Sequence, residues 1–331
     1  MLNVIQIGVG SLGLDIAQTI LEKKHLNLVG AVDENPDLQG ADLGYLATGR
    51  ENDVKVSASL EKAITSSDVS PKVALISTVS EAKQMAETIK EASWYCVDIV
   101  TTCEELSYPW NQHPETSAYI DEVCRSQGIT CLPTGVNPGF LMDYLPAVLS
   151  SVCQTVSYVE VERVQNAAER RESFQRKIGA GLTHEEFEEA RSSGSLRHIG
   201  LPESVDMIAA ALGITLDKNE EQLDKIVAAE YINSGYKPIE KGMPSGVEQI
   251  AIGKINGQTL ISLKFRAAMG EEASYDKITI NGKPSLENKF YSGVHGDLAT
   301  AAIATNAINT AYKAESGLKT MLDVPVISCM E

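Results

Sequence analysis

The stretch that most constrains the fold is Ile5–Gly13, which reads Ile-Gln-Ile-Gly-Val-Gly-Ser-Leu-Gly. Leu2, Val4, Ile5 and Ile7 form an apolar, β-branched run that predicts a strand, and the run breaks into Gly8, Gly10 and Gly13 at the spacing G-x-G-x-x-G. Each glycine has its own physical reason. Gly8 permits a sharp turn, Gly10 lets a pyrophosphate approach the backbone, and Gly13 lets the following helix lie close on the strand. That helix opens at Ser11 and Leu12, where unpaired N–H groups and the positive end of the helix dipole favour an anion.

The context makes the pattern specific. Leu12, Ile16, Ile20 and Leu21 recur at helical spacing, and a second strand, Leu26–Asp33, ends in an acid 20 residues beyond Gly13. A carboxylate there accepts both ribose hydroxyls of an adenosine and repels a 2′-phosphate, which favours NAD over NADP. Further strands are expected at Val54–Val56, Lys72–Ile76, Trp94–Val100 and Ile129–Leu132, alternating with helices. This is the grammar of a parallel, doubly wound sheet. Ligands of such sheets sit outside the carboxyl ends of the strands, which puts Ser77, Thr78 and Thr101 near the dinucleotide and Glu104 and Glu105 on the same rim.

After Asn137-Pro-Gly139 the pattern changes. Thr155–Arg163, Glu248–Lys254, Leu260–Ala267 and Lys277–Ile280 alternate β-branched and polar residues, with Asn256-Gly257 and Asn281-Gly282 as turn dipeptides. Helices are expected near Leu141–Ser150, Thr183–Ser192 and Pro202–Leu212, the second opened by a capping box of Thr183 and Glu186. The fold class is therefore α/β: an N-terminal Rossmann doubly wound parallel sheet, and a second α+β domain built on a largely antiparallel sheet. Residues 1–135 are assigned to dinucleotide binding and 136–296 to substrate binding and oligomerisation. An Ala-rich helix from Asp297 to about Ala314 is expected to pack back on the first domain.

Charge and cysteine usage narrow the partners. The net charge of −17 disfavours nucleic acid and anionic membrane surfaces, and no apolar run reaches the length of a membrane helix. Six cysteines show neither C-x-x-C nor a metal-ligand spacing, so no metal site is expected. Most of the six are read as buried apolar residues of a cytoplasmic protein, and nothing near Cys103 makes it a nucleophile.

Four motifs, Thr134-Gly-Val-Asn-Pro-Gly-Phe140, Gln175–Thr183, His198–Ser204 and His295–Thr300, resemble those of the 2,4-diaminopentanoate dehydrogenases, which are related to native amine dehydrogenases and share the architecture of dihydrodipicolinate reductases. The resemblance implies NAD(P)-dependent oxidative deamination of 2,4-diaminopentanoate, an ornithine-fermentation intermediate, to 2-amino-4-oxopentanoate and ammonia. Reductive amination is the reverse. It implies a glutamate base just after Thr101-Thr-Cys103, assigned to Glu104 with Glu105 as second choice, and adds Asn137 and Gly139 to the cofactor contacts.

Of the polar cluster Asn166, Arg170, Arg171, Gln175 and Lys177, one or two are expected to orient a substrate carboxylate. Asn166, Arg171 and Gln175 are assigned to the substrate together with His198 and Thr300. Cofactor choice varies within the family, so NADP stays open. The antiparallel sheet is a plausible homodimer surface. Two alternatives remain: a dihydrodipicolinate reductase-like imine reductase, and a non-catalytic NAD-binding sensor.

Overall fold

The computed structural model describes residues 1–170, 172–234 and 237–330. The chain forms two units, one made of Met1–Leu141 with the segment from His295 onward, the other of Met142–Val294. In the first, β1 (Leu2–Ile7) leads through the glycine turn into α1 (Ser11–Leu21), β2 (Leu26–Val32), α2 (Leu43–Thr48), β3 (Val56–Ser57) and α3 (Leu60–Thr65). β4 (Val73–Ile76), α4 (Ala82–Ser93), β5 (Asp98–Thr101), α5 (Pro114–Gln127) and β6 (Thr130–Pro133) follow. β4 is buried at every residue, as expected of a strand covered on both faces. The strand expected from Trp94 starts only at Asp98, because α4 runs on to Ser93 and a turn precedes the strand. β3 likewise begins at Val56 rather than Val54.

The second unit opens with α6 (Tyr144–Ser150), which starts later than expected because Asp143 is its N-cap. Then come β7 (Thr155–Asn166), α7 (Glu172–Lys177), α8 (His184–Ser192) and α9 (Leu201–Ala211). The capping box is formed on both sides: Glu186 N–H donates to the Thr183 hydroxyl, and Thr183 N–H donates to the Glu186 carboxylate. β8 (Lys218–Val227), β9 (Pro244–Ile255), β10 (Gln258–Ala268), β11 (Tyr275–Lys283) and β12 (Leu286–Phe290) complete a sheet of order β12-β11-β7-β10-β9-β8. Every pairing is antiparallel except β7 with β10. Val159, Val161, Ile261, Leu263 and Phe265 on one sheet face share a core with Phe187, Val205 and Ile208 of the helices. Asn256-Gly257 is the β9–β10 turn as expected, whereas Asn281-Gly282 lies inside β11 at a break in register.

The chain then returns to the first unit as α10 (Gly296–Lys313) and β13 (Gly317–Leu318). Ala301, Ala304, Ala307, Ile308 and Ala311 of α10 share a core with Ile16, Ala17 and Ile20 of α1. With β13 in place the sheet order is β13-β6-β5-β4-β1-β2-β3, and every pairing is parallel. Strand order reverses between β1 and β4, so the carboxyl ends of those two strands flank a binding crevice. Among the described residues, no helix is long and apolar enough to cross a membrane.

Candidate active site

The glycine turn at the end of β1 has the geometry its spacing demands. Gly8 sits at φ +91°, and a Cβ there would lie 2.7 Å from the Ser77 carbonyl oxygen. A Cβ on Gly13 would meet the Gly8 carbonyl oxygen at 2.0 Å, so the contact between α1 and the turn excludes any side chain. Gly10 differs, because a Cβ there would have no atom within 4 Å. Gly10 is also the N-cap of α1, and no side chain caps the helix. Open space beside a helix N-terminus fits a pyrophosphate, and Ser11 and Leu12 begin that helix.

Asp33, just past β2, is already bound to this turn. One carboxylate oxygen accepts the Val9 N–H at 2.6 Å and the other accepts the Asn35 N–H at 2.8 Å, which orients the acid beside the glycines. Ser77, after β4, donates its hydroxyl to the Gly8 carbonyl at 3.3 Å. Thr78 is exposed beyond it, its methyl within 2.9 Å of the position a Gly8 Cβ would take. Thr101 departs from expectation. It is fully buried, and its hydroxyl meets the Met85 sulfur and accepts the Cys103 N–H, so it faces α4 and not the rim.

The two glutamates after β5 have different environments. Glu104 is partly exposed at the start of a short 3-10 turn, Glu104–Leu106. Glu105 is buried; its carboxylate accepts the Ala82 N–H at 2.9 Å and lies 3.5 Å from His113 Nε2. The Glu105 carboxylate thus caps the first turn of α4, a contact that required the fold to see. Burial, and then the neighbouring Glu104 charge, push the Cys103 thiol well above its ordinary value. It stays protonated and donates to the Ser80 carbonyl. Cys124 and Cys131 are buried as well, but Cys96 and Cys329 are exposed and Cys153 is partly so, fewer buried cysteines than expected.

Asn137 precedes a cis Pro138, and Gly139 at φ +115° packs where a Cβ would approach the Gly135 nitrogen at 2.5 Å. The Thr300 hydroxyl accepts the Val136 N–H at 3.3 Å, which ties α10 to this loop. In the second unit, Asn166 caps a 3-10 turn by accepting the Ala168 N–H, and Gln175 Nε2 donates to the Ala167 and Arg170 carbonyls. Both side chains are used to shape the loop after β7 instead of projecting from it. Arg170 lies over the Phe174 ring at 4.3 Å and donates to Gln165 at 2.7 Å. Arg171 lies outside the described residues. His198 stacks on Phe265 with ring centroids 4.4 Å apart. Burial, and then the charges of Lys177, Arg163 and Arg170, lower its pKa to about 3, so its imidazole is neutral.

Comparison with known proteins fits this arrangement. Residues 2–102 match the family described as dihydrodipicolinate reductase, N-terminus, and residues 140–331 match the 2,4-diaminopentanoate dehydrogenase C-terminal domain. The chain is 30% identical to the 2,4-diaminopentanoate dehydrogenase of Acetoanaerobium sticklandii over 98% of its own length and 93% of that protein. The chain belongs to the 2,4-diaminopentanoate dehydrogenase family. Its members are NAD(P)-dependent oxidoreductases acting on amines. The fold is that of an amine dehydrogenase from Mycobacterium smegmatis, with TM-score 0.87 at 23% identity over 99% of this chain and 97% of that one. A Synechocystis biliverdin reductase solved with biliverdin and NADP+ aligns more distantly, with TM-score 0.55 at 12% identity over 93% and 90% of the two chains.

Proposed function

We propose that this family member oxidises 2,4-diaminopentanoate at the carbon bearing the 4-amino group, using NAD and water and releasing 2-amino-4-oxopentanoate, ammonia and NADH. The observation that supports this reading most directly is the whole-chain identity to the Acetoanaerobium sticklandii enzyme. The first unit is the dinucleotide domain: Gly10 and the start of α1 receive the pyrophosphate, and Asp33 receives the ribose hydroxyls and selects NAD over NADP. The nicotinamide, when bound, accepts the hydride. Glu104 moves protons to and from the substrate amine and the attacking water, a task for a carboxylate within solvent reach.

The second unit holds the substrate. Arg170 supplies a cation for the carboxylate, and the neutral His198 supplies a hydrogen-bonding ring without a competing charge. Six free thiols support a cytoplasmic setting, and the reaction serves ornithine breakdown. The protein works as a homodimer through the outer face of the second sheet.

The test is NADH formation from 2,4-diaminopentanoate, run beside NADP and a simple amine. Turnover should favour NAD and the diamino acid, and Glu104→Ala should lower kcat by about 10²- to 10⁴-fold while NADH still binds. A Glu104→Ala enzyme with wild-type kcat would remove Glu104 from its role. A wild-type chain that binds NADH but oxidises no amine would favour the sensor alternative.

A further inference from the structure

Gln6 is the polar residue among the buried positions of β1. It is completely buried, on a strand whose other interior positions are Val4, Ile5 and Ile7, and its Oε1 has no hydrogen-bond partner among the described residues. Leaving a buried acceptor unmade costs stability, and an apolar residue would avoid that cost. The other end of the amide is fully engaged. Nε2 donates to the Gly8 carbonyl at 2.9 Å and to the Ser77 hydroxyl at 2.9 Å. Ser77 in turn donates to the same Gly8 carbonyl, so two donors converge on one oxygen.

That oxygen belongs to the Gly8–Val9 peptide. A trans peptide is planar, with its C=O and N–H pointing in opposite directions. The N–H end of this plane, on Val9, donates to Asp33. The peptide is therefore held at both ends, by Gln6 and Ser77 on one side and by the Asp33 carboxylate on the other. We propose that Gln6 is a positioning residue for the dinucleotide: by fixing the Gly8–Val9 peptide plane it sets both the pyrophosphate turn and the orientation of Asp33. The proposal rests on the reading of this turn as the cofactor site, and it adds a residue that touches no ligand.

The experiment measures NADH binding to the intact protein by fluorescence titration, with melting temperature and KM for NAD alongside. Gln6→Met keeps the bulk and removes the donor. The expected result is a rise of about tenfold in the NADH Kd and in KM for NAD, the fold-change for one lost hydrogen bond, with kcat and melting temperature nearly unchanged. Gln6→Glu gives a second, independent readout. A buried carboxyl donates only when protonated, so in this variant NADH affinity should strengthen as the pH is lowered, relative to the wild-type profile.

An NADH Kd within about twofold of wild type in a folded Gln6→Met protein would overturn the proposal, as would a Gln6→Glu protein whose binding follows the wild-type pH profile. If Gln6→Met fails to fold, the Gln6→Glu profile decides. Failure of the wild-type chain to bind NADH would instead overturn the cofactor reading itself.

Discussion

A histidine kept neutral among cations leaves a signature in acid. The ordinary imidazole pKa is near 6.5, and in the folded chain burial and then Lys177, Arg163 and Arg170 bring that of His198 to about 3. Between those values the unfolded chain takes up a proton that the folded chain refuses, so stability is lost as the pH falls from neutrality through this window. The contribution between pH 7 and pH 5 is about 2 kcal/mol at most. His198→Phe, which preserves the stack on Phe265, should lose that much less stability over the same interval in urea unfolding. Equal acid sensitivity in the two proteins would show that His198 is protonated in the folded state. At this scale the sequence is legible where backbone geometry dictates the residue, as at Gly8 and Gly13. It is opaque where a role depends on a distant partner: Glu105 acts on the amide of Ala82, and Gln6 acts on Ser77.

Strands and helices were readable where one face is buried, and unreadable at the margins of the second sheet. β8 and β12 escaped prediction because they are its two edge strands. Sequences such as Lys-Asn-Glu-Glu-Gln and Leu-Glu-Asn-Lys-Phe carry the charges that discourage further pairing rather than clean alternation. The Asn281-Gly282 dipeptide misleads for a different reason. In β11 the glycine is required by the approach of β7, since a Cβ on Gly282 would lie 2.1 Å from the Thr155 carbonyl oxygen. Gly282→Ala should therefore cost about 1–3 kcal/mol, measured as a lowered urea midpoint, through overpacking between strands. A turn glycine with negative φ would tolerate alanine, so an unshifted midpoint would restore the turn interpretation.

At the scale of the whole molecule, the outer face of the second sheet combines Glu160, Glu162, Glu248, Lys264 and Arg266, with Glu248 bridging to both cations at 3.4 and 3.2 Å. A surface that alternates the two signs is complementary to itself under twofold symmetry, which supports a dimer of identical chains. Light scattering should return twice the chain mass, and a single-chain mass at micromolar concentration would remove that assembly.

The two-unit layout also bears on synthesis. Met142–Val294 is an insertion, and the first unit is completed only by α10 and β13 at the far end of the chain. As the polypeptide leaves the ribosome, the inserted unit has all its strands before the first has its last helix. The edge of β6 and the apolar side of α1 must wait for the final segment, so the inserted unit can be completed before the unit that begins the chain.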